Sequence, residues 1–534
     1  MRRGLLSALV CTFACGPAHE GPGAAFDRQR LTPLQTPCLF SAGTMAIVLA
    51  ANEEGVIERR LSDSALLVNG DPCNSAGGVA PFAKSTTAVT ATVLGAAGGD
   101  EELTLDFVNG AFLRGTSVAP GLVIDLAGGG SDTVAVRLSA MKDVVSVGTN
   151  GWDISGDGVR DFTLSGVESA TVLLGDGSDV FSAAGGGLLG SASPSSLPLT
   201  VYGGPGDDVL TGGEADDALH GDTGADVLSG GASLVDSDVY VGGAGLDTVT
   251  YGARGGAVTI TVGVGADDGA ASEHDDVQAD VETVIGGSGD DSFTGTSGPQ
   301  TFYGGAGGDT FFMGLLASTG AGADTAYGET GLDTVDYGSR LEAVSVTMDL
   351  NVANDGAIGE GDNVRNDVEQ LICPTAAVAC TVTGNALDNR LTGGGGADTL
   401  DGAAGDDTFI MGASGGIGAG ADNVTGGAGV DLIDFSVFGA VIDVRMDGAA
   451  SATQGKRIAT DVENLVCPTA HACTVLGNAA NNHLWGSSQA DTLSSAGGDD
   501  FVETLGAADV VDCGDGSDIL IGAGASPVGT TCEL

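Results

Sequence analysis

The sequence predicts an all-β solenoid, a stack of short strands in place of one compact core. Three observations carry that expectation. A nine-residue unit repeats in frame, most clearly as GGPGDDVLT, GGEADDALH and GDTGADVLS, which puts Asp208, Asp217 and Asp226 at the sixth place and Leu210, Leu219 and Leu228 at the eighth. Glycine supplies 93 of the 534 residues without a period of three, so it marks many tight turns and no collagen-like helix. No segment shows a helical period with caps, whereas short alternations of Val and Ile with Thr, Ser or Asp recur. A chain this long does not grow one core; small repeated units that bury their apolar face only by stacking are the alternative.

Along the chain, Met1-Arg2-Arg3 and the mostly apolar stretch Leu5 to Ala14 read as an export signal over residues 1–15. Ala14-Cys15 fits a lipoprotein cleavage point with Cys15 carrying lipid; plain secretion is the other reading, since Thr12 and Phe13 depart from the usual pattern. Residues 16–75 are expected to form an N-terminal cap and 76–200 a degenerate solenoid, in which AGGGSDTVA and LGDGSDVFS keep Asp132 and Asp179 in frame. Four blocks of repeats follow at 201–251, 286–337, 384–435 and 477–534, joined by linkers at 252–285, 338–383 and 436–476. Each linker carries an alternating segment (AVTITV, AVSVTMDL, AVIDVRMD) and a D-V-E element, at Asp280-Val281-Glu282, Asp367-Val368-Glu369 and Asp461-Val462-Glu463.

Of the ten cysteines, Cys11 and Cys15 belong to the signal. The other eight pair most economically as four local disulfides in an oxidising compartment: Cys38 with Cys73, Cys373 with Cys380, Cys467 with Cys473, and Cys513 with Cys532. A thiolate metal site would need CxxC or nearby His, and the five His are scattered.

Asp and Glu outnumber Lys and Arg 72 to 18, for a formal net charge of −54. Such a surface repels nucleic-acid phosphates and anionic membranes and attracts cations. No apolar run approaches the length of a bilayer span. Within the repeat, glycines at places one, two and four permit sharp turns and leave carbonyls uncovered. Two units complete one flattened coil, so Asp208 should fall beside Asp226. Lys and Arg are nearly absent from the blocks, so the neutralising charge has to come from solution. Carboxylate and carbonyl oxygens suit Ca²⁺; Mg²⁺ demands a stricter octahedron and transition metals prefer nitrogen or sulfur.

Repeated in frame, these units resemble the RTX (hemolysin-type) calcium-binding nonapeptide, over most of residues 90–534. The resemblance implies a right-handed parallel β-roll with calcium between consecutive turns. Carried over by position, it makes metal ligands of Asp208, Asp217, Asp226, Asp247, Asp291, Asp309, Asp333, Asp398, Asp407, Asp431, Asp491, Asp500, Asp509 and Asp518. Gln300, Asn389 and Asn482 take the sixth place in their units, and those rungs are expected to bind weakly or stay empty.

Other signals are weaker. The GxSxG at 412–416 is a chance match in so glycine-rich a chain, and HExxH is missing. Asp153, Ser155, Asp157, Gly158 and Asp161 imitate an EF-hand loop, but Leu164 stands where its bidentate Glu belongs, which favours a polar turn. Asp267, Asp268, Glu273, Asp275 and Asp276, echoed by Asp355, Glu360 and Asp362, form either a separate calcium site or a solvated acidic loop.

The expectation is a secreted or surface-anchored bacterial calcium-binding protein, folded by calcium into a structural or adhesive scaffold without catalytic role. Its partner on a protein or polysaccharide surface is not specified. The alternative is a secreted enzyme with its active site in the N-terminal 200 residues and repeats that assist folding; a compact, concave, non-repetitive domain there would distinguish it.

Overall fold

The computed structural model describes residues 100–108, 121–126, 130–185, 193–231, 233–313, 322–349, 352–412, 420–452, 455–505 and 508–522, with strand backbone at 39–41, 44–48, 54–59, 66–68, 71–72, 74–75, 90–94, 526–527 and 532–533. Cys15, the Cys38–Cys73 pair and Ser414 of the GxSxG run lie outside these residues. Every regular element among the described residues is a strand, and no helix there is long and apolar enough to cross a membrane.

Strands of two to seven residues alternate between two faces of a coil. Val209–Thr211, Val227–Ser229 and Thr248–Thr250 stack in parallel on one face, and Leu199–Pro205, Ala218–Gly224 and Val239–Gly245 on the other. Val209 pairs with Val227 and Leu210 with Leu228, so two nonapeptides make one coil, as the repeat length requires. With side chains alternating across each strand, only the central residue points inward. Leu210, Leu219 and Leu228 are fully buried in one continuous core that also holds Phe293, Phe302, Phe311 and Phe409. Each such side chain contributes roughly 1.5–3 kcal/mol of burial. The turns pack backbone against backbone: at Gly224, with φ +147°, an added Cβ would lie 1.6 Å from the Gly206 carbonyl oxygen. Only glycine fits there.

Before the first block, Glu102–Asp106, Thr133–Arg137 and Ser169–Leu173 stack in register beneath Leu199–Pro205. The coil therefore persists where the glycine pattern has decayed. One excursion interrupts it: Gly151–Asp153 turns back antiparallel on Val144–Gly148, and Trp152 stacks on Phe162 at 5.2 Å.

Five sheets of 16, 13, 10, 6 and 5 strands result among these residues, and the linkers pass the chain between them. In the first linker Asp276–Val277 ends the 10-stranded sheet and Thr259–Thr261 begins the 13-stranded one, while Thr283–Ile285 continues the 16-stranded sheet. In the second, Asn363–Val364 ends the 16-stranded sheet and Val344–Thr347 joins the new 6-stranded one as the 13-stranded sheet runs through. The third repeats this, with Arg457–Ile458 ending and Ile442–Arg445 beginning. Cys373–Cys380, Cys467–Cys473 and Cys513–Cys532 are disulfides.

Candidate metal centre

The sixth-place aspartates stand where each turn enters its strand, and the stacking of coils lines them into columns. All fourteen are buried. One carboxylate oxygen zips each coil to its neighbour: Asp226 Oδ1 accepts the N–H of Asp208 at 2.8 Å, and Asp247 Oδ1 that of Asp226 at 2.9 Å. The same bond joins Asp309 to Asp291, Asp333 to Asp309, Asp431 to Asp407, Asp509 to Asp491 and Asp518 to Asp500.

The second oxygen separates the aspartates into two kinds. In Asp217, Asp291, Asp398 and Asp491, Oδ2 accepts the N–H of the place-two residue of its own turn (Gly213, Gly287, Gly394, Ser487) at 2.6–2.9 Å. Each is the first acidic rung of its column, reached from below by Leu199, Val258, Cys380 or Cys473. In Asp208, Asp226, Asp247, Asp309, Asp333, Asp407, Asp431, Asp500, Asp509 and Asp518, Oδ2 is buried with no hydrogen-bond partner. Asp132 and Asp179 share that condition.

Backbone conformation follows the same division. For nine of the ten bare rungs the place-two residue has positive φ; where it is not glycine it is Asp222 (70°), Glu329 (65°), Ala403 (73°) or Ala496 (75°). A non-glycine residue held left-handed costs about 1–2 kcal/mol, so the turn is held open against its own preference. An acceptor buried without a donor costs about as much again. Both penalties sit at one point, and a cation relieves the second. Spacing at the sixth place does not distinguish the two kinds; position within the column does.

Burial pushes the carboxyls of Asp226, Asp333 and Asp407 up to about 7 and those of Asp309 and Asp431 up to about 6, the N–H of the rung below opposing the rise and neighbouring carboxylates adding to it. No group of three or more His, Cys, Asp or Glu side chains is poised around one point among the described residues. A cation in these turns would thus be held by paired carboxylates and turn carbonyls, the donor set of a hard, oxygen-seeking ion.

Gln300, Asn389 and Asn482 are held like the first kind: Thr296, Asn385 and Asn478 donate N–H to the amide oxygen at 2.9–3.0 Å. Two features absent from the sequence reading complete the columns. Glu282, Glu369 and Glu463 of the D-V-E elements occupy rungs themselves, each Oε2 accepting the N–H of Asp247, Asp333 or Asp431. Their valines enter the core, and Asp280, Asp367 and Asp461 accept N–H groups from the turn below. An outer ladder also runs through place five, where Asp207, Asp290 and Asp406 each accept an N–H from the next coil.

The EF-hand-like loop is a polar turn: Asp153 accepts the N–H groups of Ser155, Gly156 and Gly158. Of the linker acids, Asp267 is exposed and Asp276 and Glu360 are half-buried, but most are not part of a solvated loop. Asp268, Glu273, Asp275, Asp355 and Asp362 are all buried, because Asp268 and Asp355 staple the two arms of their linkers through paired N–H bonds.

Comparison with known proteins agrees with the geometry. Residues 200–233, 280–315, 317–339, 381–413, 418–436 and 474–502 match the RTX calcium-binding nonapeptide repeat family. No curated protein matches the chain. Within residues 200–502, then, the chain carries RTX calcium-binding nonapeptide repeats in six separate stretches.

Proposed function

We propose that calcium taken up between successive coils folds this chain into a stiff extracellular scaffold, with an adhesive or structural role and no catalytic one. The observation that carries the reading is the set of ten bare Oδ2 atoms, nine of them on turns held left-handed at place two. Asp208, Asp226, Asp247, Asp309, Asp333, Asp407, Asp431, Asp500, Asp509 and Asp518 would hold the ions together with turn carbonyls. Asp217, Asp291, Asp398 and Asp491 would contribute less, since main-chain N–H groups already take their second oxygen. Bound calcium supplies charge neutralisation; the chain's own residues supply the dry turn and its oxygens. Export is supported by the basic and apolar N-terminus and by the disulfides, which persist in oxidising compartments. Cys15 offers a lipid anchor if the signal is cleaved before it. Titration calorimetry on calcium-stripped protein tests the reading. Many ions per chain, preferred over Mg²⁺, are expected; a total of one or two would overturn it.

A further inference from the structure

The three linkers occupy equivalent places, and one of them has exchanged an acid for a lysine. Asp238, Asp324 and Asp422 are equivalent rungs, each accepting through Oδ1 the N–H of Asp217, Gln300 or Asp398. The next rung comes from the linker. Strand register sets Asp276, Asn363 and Arg457 opposite Val239, Thr325 and Asn423, so the residues just before them, Asp275, Asp362 and Lys456, are equivalent.

In the first two linkers that residue is a buried carboxylate whose Oδ1 accepts the N–H of Asp238 or Asp324 and whose Oδ2 accepts a tyrosine hydroxyl, of Tyr251 or Tyr337, at 3.0 Å. Negative charge accumulates there. Around Asp275 lie the buried Asp236, Asp238, Asp268 and Glu273, with Arg254 paired to Glu273. Around Asp362 lie Asp324, Asp355 and Glu360, with Arg340 paired to Glu360. One guanidinium does not balance either group. Asp324 is 1% exposed, and its Oδ2 has no hydrogen-bond partner.

The third linker has changed throughout. Phe435 replaces the tyrosine, Phe438 the arginine, Ser451 the stapling aspartate, and Lys456 the rung acid. Lys456, 2% exposed, donates to Asp422 Oδ2 and to the Gly420 carbonyl, with its ammonium 5.4 Å from the Phe438 ring centre. Asp422 Oδ2 is the counterpart of the unpartnered oxygen of Asp324. A fixed ammonium thus neutralises in the third linker the oxygen left bare in the second.

In the first linker the corresponding oxygen, Asp238 Oδ2, accepts the Tyr240 hydroxyl at 3.4 Å. We infer that the second linker holds a further divalent cation, calcium, at Asp324 with Asp362, and that Lys456 is a covalently tethered substitute for that ion. This site lies outside the fourteen sixth-place aspartates, and its second carboxylate comes from a linker residue that belongs to no nonapeptide. The inference rests on the reading that the coils take calcium. The test counts calcium per full-length chain by equilibrium dialysis, with circular dichroism to verify folding. Asp324→Asn and Asp362→Lys should each bind one ion fewer than the parent, and Lys456→Asp one more. An unchanged count in any of the three overturns the inference. So does loss of folded structure in Asp362→Lys, because a lysine is the solution the third linker already uses. If the parent protein takes up no calcium at all, the scaffold reading itself falls; if it binds many ions and the variants match it, this inference alone falls.

Discussion

Asn482 stands one coil above Glu463 and donates its Nδ2–H to the Glu463 carbonyl at 3.0 Å. Asn389 does the same to Glu369 at 3.4 Å. In both, the amide also donates to an asparagine at place two, Asn478 or Asn385, which reaches the Val462 or Val368 carbonyl in turn. An amide N–H bonds carbonyl oxygen here, so these coils close without metal.

Asn482→Asp and Asn389→Asp remove those donors and add a buried charge. Each variant is expected to lose roughly 1–3 kcal/mol of stability in chelator, with calcium restoring part of it. Thermal unfolding with and without calcium measures this, and equal melting of parent and variants in chelator would refute it.

Rungs of the two kinds should respond differently to the same change. Asp226→Asn and Asp407→Asn alter a bare oxygen and should weaken calcium uptake in their blocks by tenfold or more, about 1.4 kcal/mol or greater. Asp217→Asn and Asp398→Asn alter an oxygen that already accepts a main-chain N–H, so they should cost folded stability more than calcium affinity. Calorimetric titration of the four variants, paired by block, separates the two outcomes.

Acid should partly replace calcium. The carboxyls of Asp226, Asp333 and Asp407 titrate near 7 in the metal-free fold, raised first by burial, against about 3.9 when unfolded. A raised folded value means that the metal-free fold is favoured below about 4 and loses that advantage as pH climbs to about 7. In chelator, β structure should therefore grow on acidification from pH 8 to pH 5, while calcium affinity falls over the same range because the ion needs the carboxylate. Circular dichroism in chelator across this range is the check; identical spectra at both ends would contradict it.

Chelation at neutral pH should expand the repeat blocks. Adjacent carboxylates such as Asp500 and Asp518 have few cations nearby, so metal binding appears as folding free energy. Replacing Asp509 and Asp518 with Ala should weaken the transition mainly in the last block. Small-angle scattering with and without calcium reads the change, and a chain equally compact in both would count against calcium-driven folding.

The short disulfides fix where two columns begin. Cys380 and Cys473 donate the N–H groups that Asp398 and Asp491 accept, and each is bridged to Cys373 or Cys467. Opening either loop by Cys→Ser should cost about 2–3 kcal/mol. The loss should be greatest in the third or fourth block, visible in hydrogen exchange.

The coil, its two-unit period and the inward leucines were legible because repetition in frame leaves one register in which every eighth-place residue is buried. What was not legible depends on neighbours eighteen or more positions away. Nothing local marks Glu282, Glu369 and Glu463 as rungs; the linker brings them there. Likewise Asp217 and Asp226 carry the same motif, and only the presence of an acidic rung below tells them apart. Of the two readings open for the linker acids, the solvated loop fails for Asp268, Glu273, Asp275, Asp355 and Asp362, because their N–H partners and the Arg254 and Arg340 pairs allow burial that charge alone does not suggest.

The staggered replacement of sheets has a consequence for how far a local event is felt. At every linker one face of the coil is renewed while another passes through unbroken, so among the described residues no plane across a linker severs both ladders at once. In a linear array whose units touch only their neighbours, coupling would drop to zero wherever such a plane existed, and each block would melt and fill with ions by itself. Here the seams are offset, as in a lap joint. The loading of one block should therefore bias the next, and the cooperative length should exceed the length of any single sheet.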